Sequence, residues 1–190
     1  MTRLAALIPL LAPLLTLAAN PALADLKPGA KAPDFTAPAY LAGKPFTFSL
    51  AQARKTGPVV LYFFPSVHTK GCNLEAHLFS EAADGFKAQG ATLIGVTSGK
   101  LGELAAFSSE TEHCGGKFPV AADPGAAIAK SYDSPLKVAG ITAPVGLSAR
   151  TSYVIAPDGK IISAYNNLAA DDHVNQTMAS LKAWRARHPK

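Results

Sequence analysis

The stretch Pro65-x-x-x-Thr69-x-x-Cys72 gathers side chains able to do chemistry at sulfur. A thiolate, not a thiol, is the nucleophile, and an apolar strand-like run before Cys72 with a helix-like run after it puts the sulfur at a helix N-terminus. There the unpaired N–H groups and the positive end of the helix dipole favour the anion. Thr69 offers a hydroxyl that can bond the sulfur or an oxygen bound beside it, or cap the helix that follows. Pro65 stiffens the strand exit and presents an apolar wall. The only other cysteine is Cys114. Two cysteines in an oxidising compartment usually pair, and a static bridge over this loop would contribute about 4 kcal/mol in the chain-entropy view. A reactive Cys72 is the competing reading. His68, Cys72 and His77 invite a metal reading, but close ligand-pair spacing is lacking and no metal is expected.

The elements that must position these residues can be read from periodicity. Pro58–Phe64 and Ala91–Ser98 are continuous apolar runs of strand length, as in strands buried on both faces. Between them, Leu74, Leu78, Phe79 and Phe86 fall at helical spacing in a segment closed by Gly90. Phe46–Leu50 reads as an edge strand followed by a short helix. Leu101–His113 reads as a helix stopped by Gly115-Gly116, Phe118–Asp123 as a short strand, and Gly125–Asp133 as another helix. Ser134–Ala149 reads as a loop. Thr151–Leu168 is a strand pair around Pro157-Asp158-Gly159, and a C-terminal helix follows Asp171-Asp172. The order β-α-β-α-β-α, then a hairpin and a helix, predicts an α/β, thioredoxin-like fold: a central mixed sheet flanked by helices on both faces.

Composition bounds the setting. Arg3, the apolar run Leu4–Ala19 and the small-x-small site Ala22-Leu23-Ala24 read as a signal peptide occupying residues 1–24, cleaved before Asp25. The run is shorter than a spanning helix and is broken by Pro9 and Pro13, so no stable membrane insertion is expected. Residues 25–190 then suit one domain, exported to the periplasm or secreted. The net charge of +5 is spread along the chain. Its one basic cluster, Leu181–Lys190, complements a helix C-terminus, so nucleic-acid binding is not expected.

Several blocks resemble a known family. Pro65-x-x-x-Thr69-x-x-Cys72 resembles the active-site signature of peroxiredoxins, and TKGCNLEA (69–76) resembles the form found in the peroxiredoxin Q / bacterioferritin comigratory protein subfamily. GAKAPDFTAP, VVLYFFP, GATLIGVTS, KFPVAAD and ARTSYVIAPDGKI are similar to further family blocks, in family order. The resemblance implies a thiol-dependent peroxidase acting on hydrogen peroxide and organic hydroperoxides. Cys72 would be the attacking sulfur that becomes a sulfenic acid, with Arg150 stabilising thiolate and peroxide. Thr69 would orient the peroxide, Pro65 shield the sulfur and Glu75 hold the arginine. It implies no cofactor and a thioredoxin-like or other thiol reductant; the absence of a long C-terminal tail points to a monomer. Many relatives carry a second cysteine five residues after the first, where this chain has His77. Cys114 then resembles the resolving cysteine of a second version of the subfamily. His68 and His113 are candidates to tune the two thiols. A non-catalytic or redox-sensing domain with a structural Cys72–Cys114 bridge stays open at this point.

Overall fold

The computed structural model describes residues 26–138, 141–143 and 146–189. The leader expected over residues 1–24 lies outside the described residues. Among those described, no helix is long and apolar enough to cross a membrane.

The strands are β1 (Thr36–Leu41), β2 (Lys44–Ser49), β3 (Val59–Ser66), β4 (Thr92–Gly99), β5 (Val120–Ala122), β6 (Lys137–Val138), β7 (Ile141–Thr142), β8 (Thr151–Ile155) and β9 (Ile161–Asn166). The α-helices are α1 (Leu50–Arg54), α2 (Lys70–Ala88), α3 (Leu104–Ser109), α4 (Ala127–Ser131) and α5 (His173–Arg187). Seven strands form one mixed sheet in the order β2-β1-β5-β4-β3-β8-β9, and β6 and β7 make a separate hairpin. The crossovers through α2 and α3 leave β3, β4 and β5 parallel, whereas β8 returns antiparallel on the other side of β3.

Strand β3 shows why this works. Val59, Leu61 and Phe63 point into one core, with Leu50 of α1 and Ala129 of α4. Val60, Tyr62 and Phe64 point into the other, with Phe79 and Phe86 of α2, Phe107 of α3 and Leu181 of α5. All six strand residues are fully buried, as a strand covered on both faces requires. The Tyr62 ring stacks on Phe79 at 4.3 Å and on Phe64 at 5.3 Å. It also lies so close to β4 that a Cβ on Gly95 would sit 2.8 Å from its Cζ, so glycine is the residue that lets the ring lie flat there.

Four expectations change. Thr36–Leu41 carries a strand that periodicity does not reveal, because Pro38 interrupts it and its inward residues, Ala37 and Ala39, are small. Strand β5 pairs with β1 only at Ala39 and Tyr40, so Pro38 falls outside that ladder. The helix expected over Leu101–His113 is a 3₁₀ turn, Leu101–Glu103, followed by α3, which ends at Ser109. The hydroxyls of Ser108 and Ser109 bond the carbonyls of Ala105 and Ala106 at 2.9 Å, and Glu110 turns to extended backbone. Cys114 therefore lies in a turn beyond the helix, not at its end. The segment expected as a loop from Ser134 to Ala149 holds the β6–β7 hairpin. On α2 the buried face is Cys72, Glu75, Ala76, Phe79, Ala83 and Phe86, while Leu74 is 43% exposed.

Candidate active site

Strand β3 delivers the site. Its penultimate residue, Pro65, is half-buried and donates no hydrogen bond; the strand ends one residue later, at Ser66, and the chain turns through Val67–Thr69. His68 holds a left-handed φ of 52° in that turn. Thr69 stands at the N-cap position of α2, but its side chain caps nothing. Its hydroxyl instead donates to the Ser66 carbonyl at 3.2 Å. The first intrahelical bond of α2 runs from Asn73 N to the Thr69 carbonyl, so the amides of Lys70, Gly71 and Cys72 precede the helical ladder.

Cys72 and Glu75 lie three residues apart on the core face of α2, and Arg150 immediately precedes β8, the neighbour of β3. The guanidinium reaches both. Its Nη2 donates to Cys72 Sγ at 3.4 Å, its Nη1 bonds Glu75 Oε2, and its Nε donates to the Leu168 carbonyl at 2.9 Å. Cys72 is 2% exposed, Arg150 5% and Glu75 not at all. Burial pushes the Glu75 carboxyl up, and the Arg150 guanidinium pulls it back down. Burial works against the Arg150 charge too, but Glu75 and Cys72 outweigh it and hold the guanidinium protonated. Gly71 makes the approach possible: a Cβ there would stand 3.1 Å from Arg150 Nη2.

Sequence reading does not find His173, the first residue of α5. It is fully buried, with Nε2 2.9 Å from the Asn167 carbonyl and Nδ1 2.7 Å from Ser152 Oγ. A carbonyl only accepts, so Nε2 carries the proton and Nδ1 accepts from the serine hydroxyl. Glu75 Oε1 lies 3.6 Å from Nδ1, beyond hydrogen-bond reach, and is without a hydrogen-bond partner among the described residues. Burial pushes the imidazole down, to about 4, so it is neutral behind the Arg150–Glu75 pair.

Cys114 is fully buried, and burial pushes its thiol up. Its carbonyl accepts from Ser80 Oγ of α2 at 3.0 Å and from Lys117 N at 3.0 Å. Both cysteines are free thiols in the core cluster on one face of the sheet, so the static bridge considered from the sequence is not formed. His68 does not turn toward Cys72. Its ring meets Glu103 and Glu110, and the Glu110 bond holds its pKa up. His77 sits on the helix surface, 3.6 Å from Glu81, so His68, Cys72 and His77 do not converge. His113 bonds Glu110, not the neighbouring thiol.

The buried His173 sets a pH dependence. Its folded pKa of about 4 lies below the ordinary unfolded value of about 6.5, so its neutral form stabilises the fold. That contribution is complete above pH ~6.5 and declines as pH falls toward 4. Urea midpoints measured between pH 7 and 4 should show the loss in the wild type. His173→Asn, which cannot titrate there, should lack this component; equal pH slopes would refute it.

Comparison with known proteins agrees with this architecture. The AhpC/TSA family profile matches residues 28–164. Chloroplastic peroxiredoxin Q of Arabidopsis thaliana is 30% identical over 161 residues, 84% of this chain and 69% of the relative. Chloroplastic peroxiredoxin Q of Sedum lineare is 27% identical over 165 residues, 86% of this chain and 82% of the relative. The crystal structure of peroxidoxin BcpB from Mycobacterium tuberculosis superposes with a TM-score of 0.70 at 26% identity, covering 83% of this chain and 97% of that one. With the thioredoxin-like sheet, the sulfur at the start of α2 and the extent of these matches, the chain belongs to the AhpC/TSA family, among the peroxiredoxins of the Q type.

Proposed function

We propose that this chain exerts the thiol-peroxidase activity of its family through Cys72. The observation that carries the reading is the Arg150 fork, with Nη2 3.4 Å from Cys72 Sγ and Nη1 anchored on the buried Glu75. A fixed, permanently charged donor at a sulfur beside free helix amides stabilises the thiolate and the negative charge that develops on a departing oxygen. The thiolate attacks the terminal oxygen of a hydroperoxide. The S–O bond forms as the O–O bond breaks, sulfur is oxidised to the sulfenic acid, and the departing alkoxide or hydroxide takes a solvent proton to leave as alcohol or water. The Thr69 hydroxyl already donates to Ser66, so its oxygen serves as acceptor for the hydroperoxide O–H. Pro65 closes one wall, Glu75 sets the pose of Arg150, and no cofactor takes part.

Cys72→Ser should abolish second-order peroxide consumption while circular dichroism stays native. Arg150→Met removes charge-assisted bonds of about 1.5–3 kcal/mol and should slow peroxide reduction roughly 10- to 150-fold. Arg150→Lys should recover little, because an ammonium cannot reproduce the fork. Stopped-flow rates checks both, and an unchanged rate in Arg150→Met sinks the assignment.

Cys114 is the proposed resolving residue. Its sulfur attacks the sulfenic sulfur; the S–S bond forms, the S–O bond breaks, and hydroxide leaves with the thiol proton as water. A dithiol reductant of the thioredoxin class then restores both thiols and is itself oxidised to a disulfide. Both sulfurs must leave buried positions, which the left-handed Gly115 and Gly116 and the uncapped start of α2 make inexpensive. After one equivalent of peroxide, intact mass should show wild type losing two hydrogens and Cys114→Ser gaining one oxygen, then a second with excess peroxide. Wild type that accumulates sulfenic acid with Cys114 still free would favour a one-cysteine cycle.

Export to the periplasm or medium is also proposed, supported by Arg3, the apolar run Leu4–Ala19 and Ala22-Leu23-Ala24. N-terminal sequencing of the protein from the exported fraction should begin at Asp25. Protein confined to the cytosol would contradict this.

A further inference from the structure

A second cluster of reactive side chains lies beside the thiols and takes no part in the chemistry above. His68, from the turn before α2, and His113, from the turn after α3, both aim ring nitrogens at one carboxylate. His68 Nε2 is 3.0 Å and His113 Nδ1 2.8 Å from Glu110 Oε2, and the three ligand atoms lie within 4.8 Å of one another. We propose that His68, Glu110 and His113 form a binding site for a divalent transition-metal ion of the zinc type.

Two imidazole nitrogens and one carboxylate oxygen are a zinc donor set that leaves a fourth position for water. At metal–ligand distances of about 2.0–2.2 Å, tetrahedral neighbours are about 3.3 Å apart, so the two nitrogen–oxygen separations need an outward shift of only a few tenths of an ångström. The surroundings are built to hold these ligands. Glu103 Oε2 lies 2.5 Å from His68 Nδ1, the far side of that ring, and would keep the proton on Nδ1 when an ion displaces the one that Nε2 shares with Glu110. The Phe107 ring stacks on His113 at 4.6 Å and meets His68 edge-on at 5.4 Å. Glu110 and His113 are held in one turn, where His113 N bonds the Glu110 carbonyl at 3.0 Å. The two carboxylates, Glu103 and Glu110, balance a divalent charge. All three ligands retain some exposure, which gives an ion a way in. A bound ion would tie the segment leading into Cys72 to the turn that carries Cys114.

The test is calorimetric titration of the reduced full chain with Zn²⁺, beside absorption spectra with Co²⁺. One ion per chain is expected, with no sulfur-to-cobalt charge-transfer band. His68→Ala and His113→Ala should each weaken binding at least tenfold, whereas Cys72→Ser and His77→Ala should leave it unchanged. If either alanine variant does not fold, Glu110→Gln removes the anionic ligand while keeping a hydrogen-bond acceptor and should weaken binding similarly. Absence of saturable binding overturns the site. So does undiminished binding in the folded His68, His113 or Glu110 variants, a thiolate band, or loss of binding in Cys72→Ser or His77→Ala.

Discussion

Arg150 is the interaction on which the site depends. A carboxylate buried as completely as Glu75 costs several kcal/mol unless a partner meets it, and a buried guanidinium has the same difficulty. Each answers the other, and the donors left over reach the Leu168 carbonyl and Cys72. The fold makes the meeting possible at two levels. Helical spacing puts Cys72 and Glu75 on one face of α2, and the antiparallel return of β8 alongside β3 brings Arg150 beneath that face. Removing either charge would strand the other in a low-dielectric interior, so the pair supports the fold as well as the chemistry.

The parts of the fold legible in the sequence are those whose burial is symmetric or periodic. Strands β3 and β4 announce themselves as unbroken apolar runs because both faces are covered, and the β8–β9 turn announces itself by Pro157-Asp158-Gly159. Strand β1 is silent because alanines do the packing and Pro38 interrupts the pattern. The end of α3 is set by serine hydroxyls competing for carbonyls, a local balance that apolar spacing does not encode. Within the site, Cys72 and Thr69 could be placed from the strand–helix junction, but Glu75 and Arg150 acquired roles only through family resemblance. The inward spacing of Cys72, Glu75, Ala76, Phe79, Ala83 and Phe86 was a usable signal for Glu75, masked by the more conspicuous but outward Leu74. His173 gave no signal, since a histidine opening a helix looks like any polar residue until Ser152 and Asn167 close around it.

The two sulfurs are held in unlike ways. Cys72 is fixed through its side chain, by a charged donor from the residue just before β8, at the start of a helix with no side-chain cap. Cys114 is fixed through its backbone, with Ser80 on its carbonyl, while Lys117 bonds the Ser80 carbonyl at 3.1 Å. The first attachment responds to the charge on sulfur and the second does not. A change of oxidation state at Cys72 is therefore felt first at the beginning of α2, and the Cys114 turn stays tied to the middle of the same helix through Ser80.

Gly71 shows how a missing atom shapes such a site. Alanine is the better helix former, by about 1 kcal/mol in a helix interior and less in a first turn, so local propensity favours it at this position. The guanidinium crowds the space that a methyl would need, 3.1 Å from where its carbon would stand, and would have to give way by a few tenths of an ångström. Helix propensity and clearance for the arginine thus pull in opposite directions at one residue, and the sequence sides with clearance. The first turn of α2 is left weaker than its composition would allow. That slack lies in the segment that carries the nucleophile, so any substitution made there for thermal robustness would draw on the same reserve that lets the sulfur move.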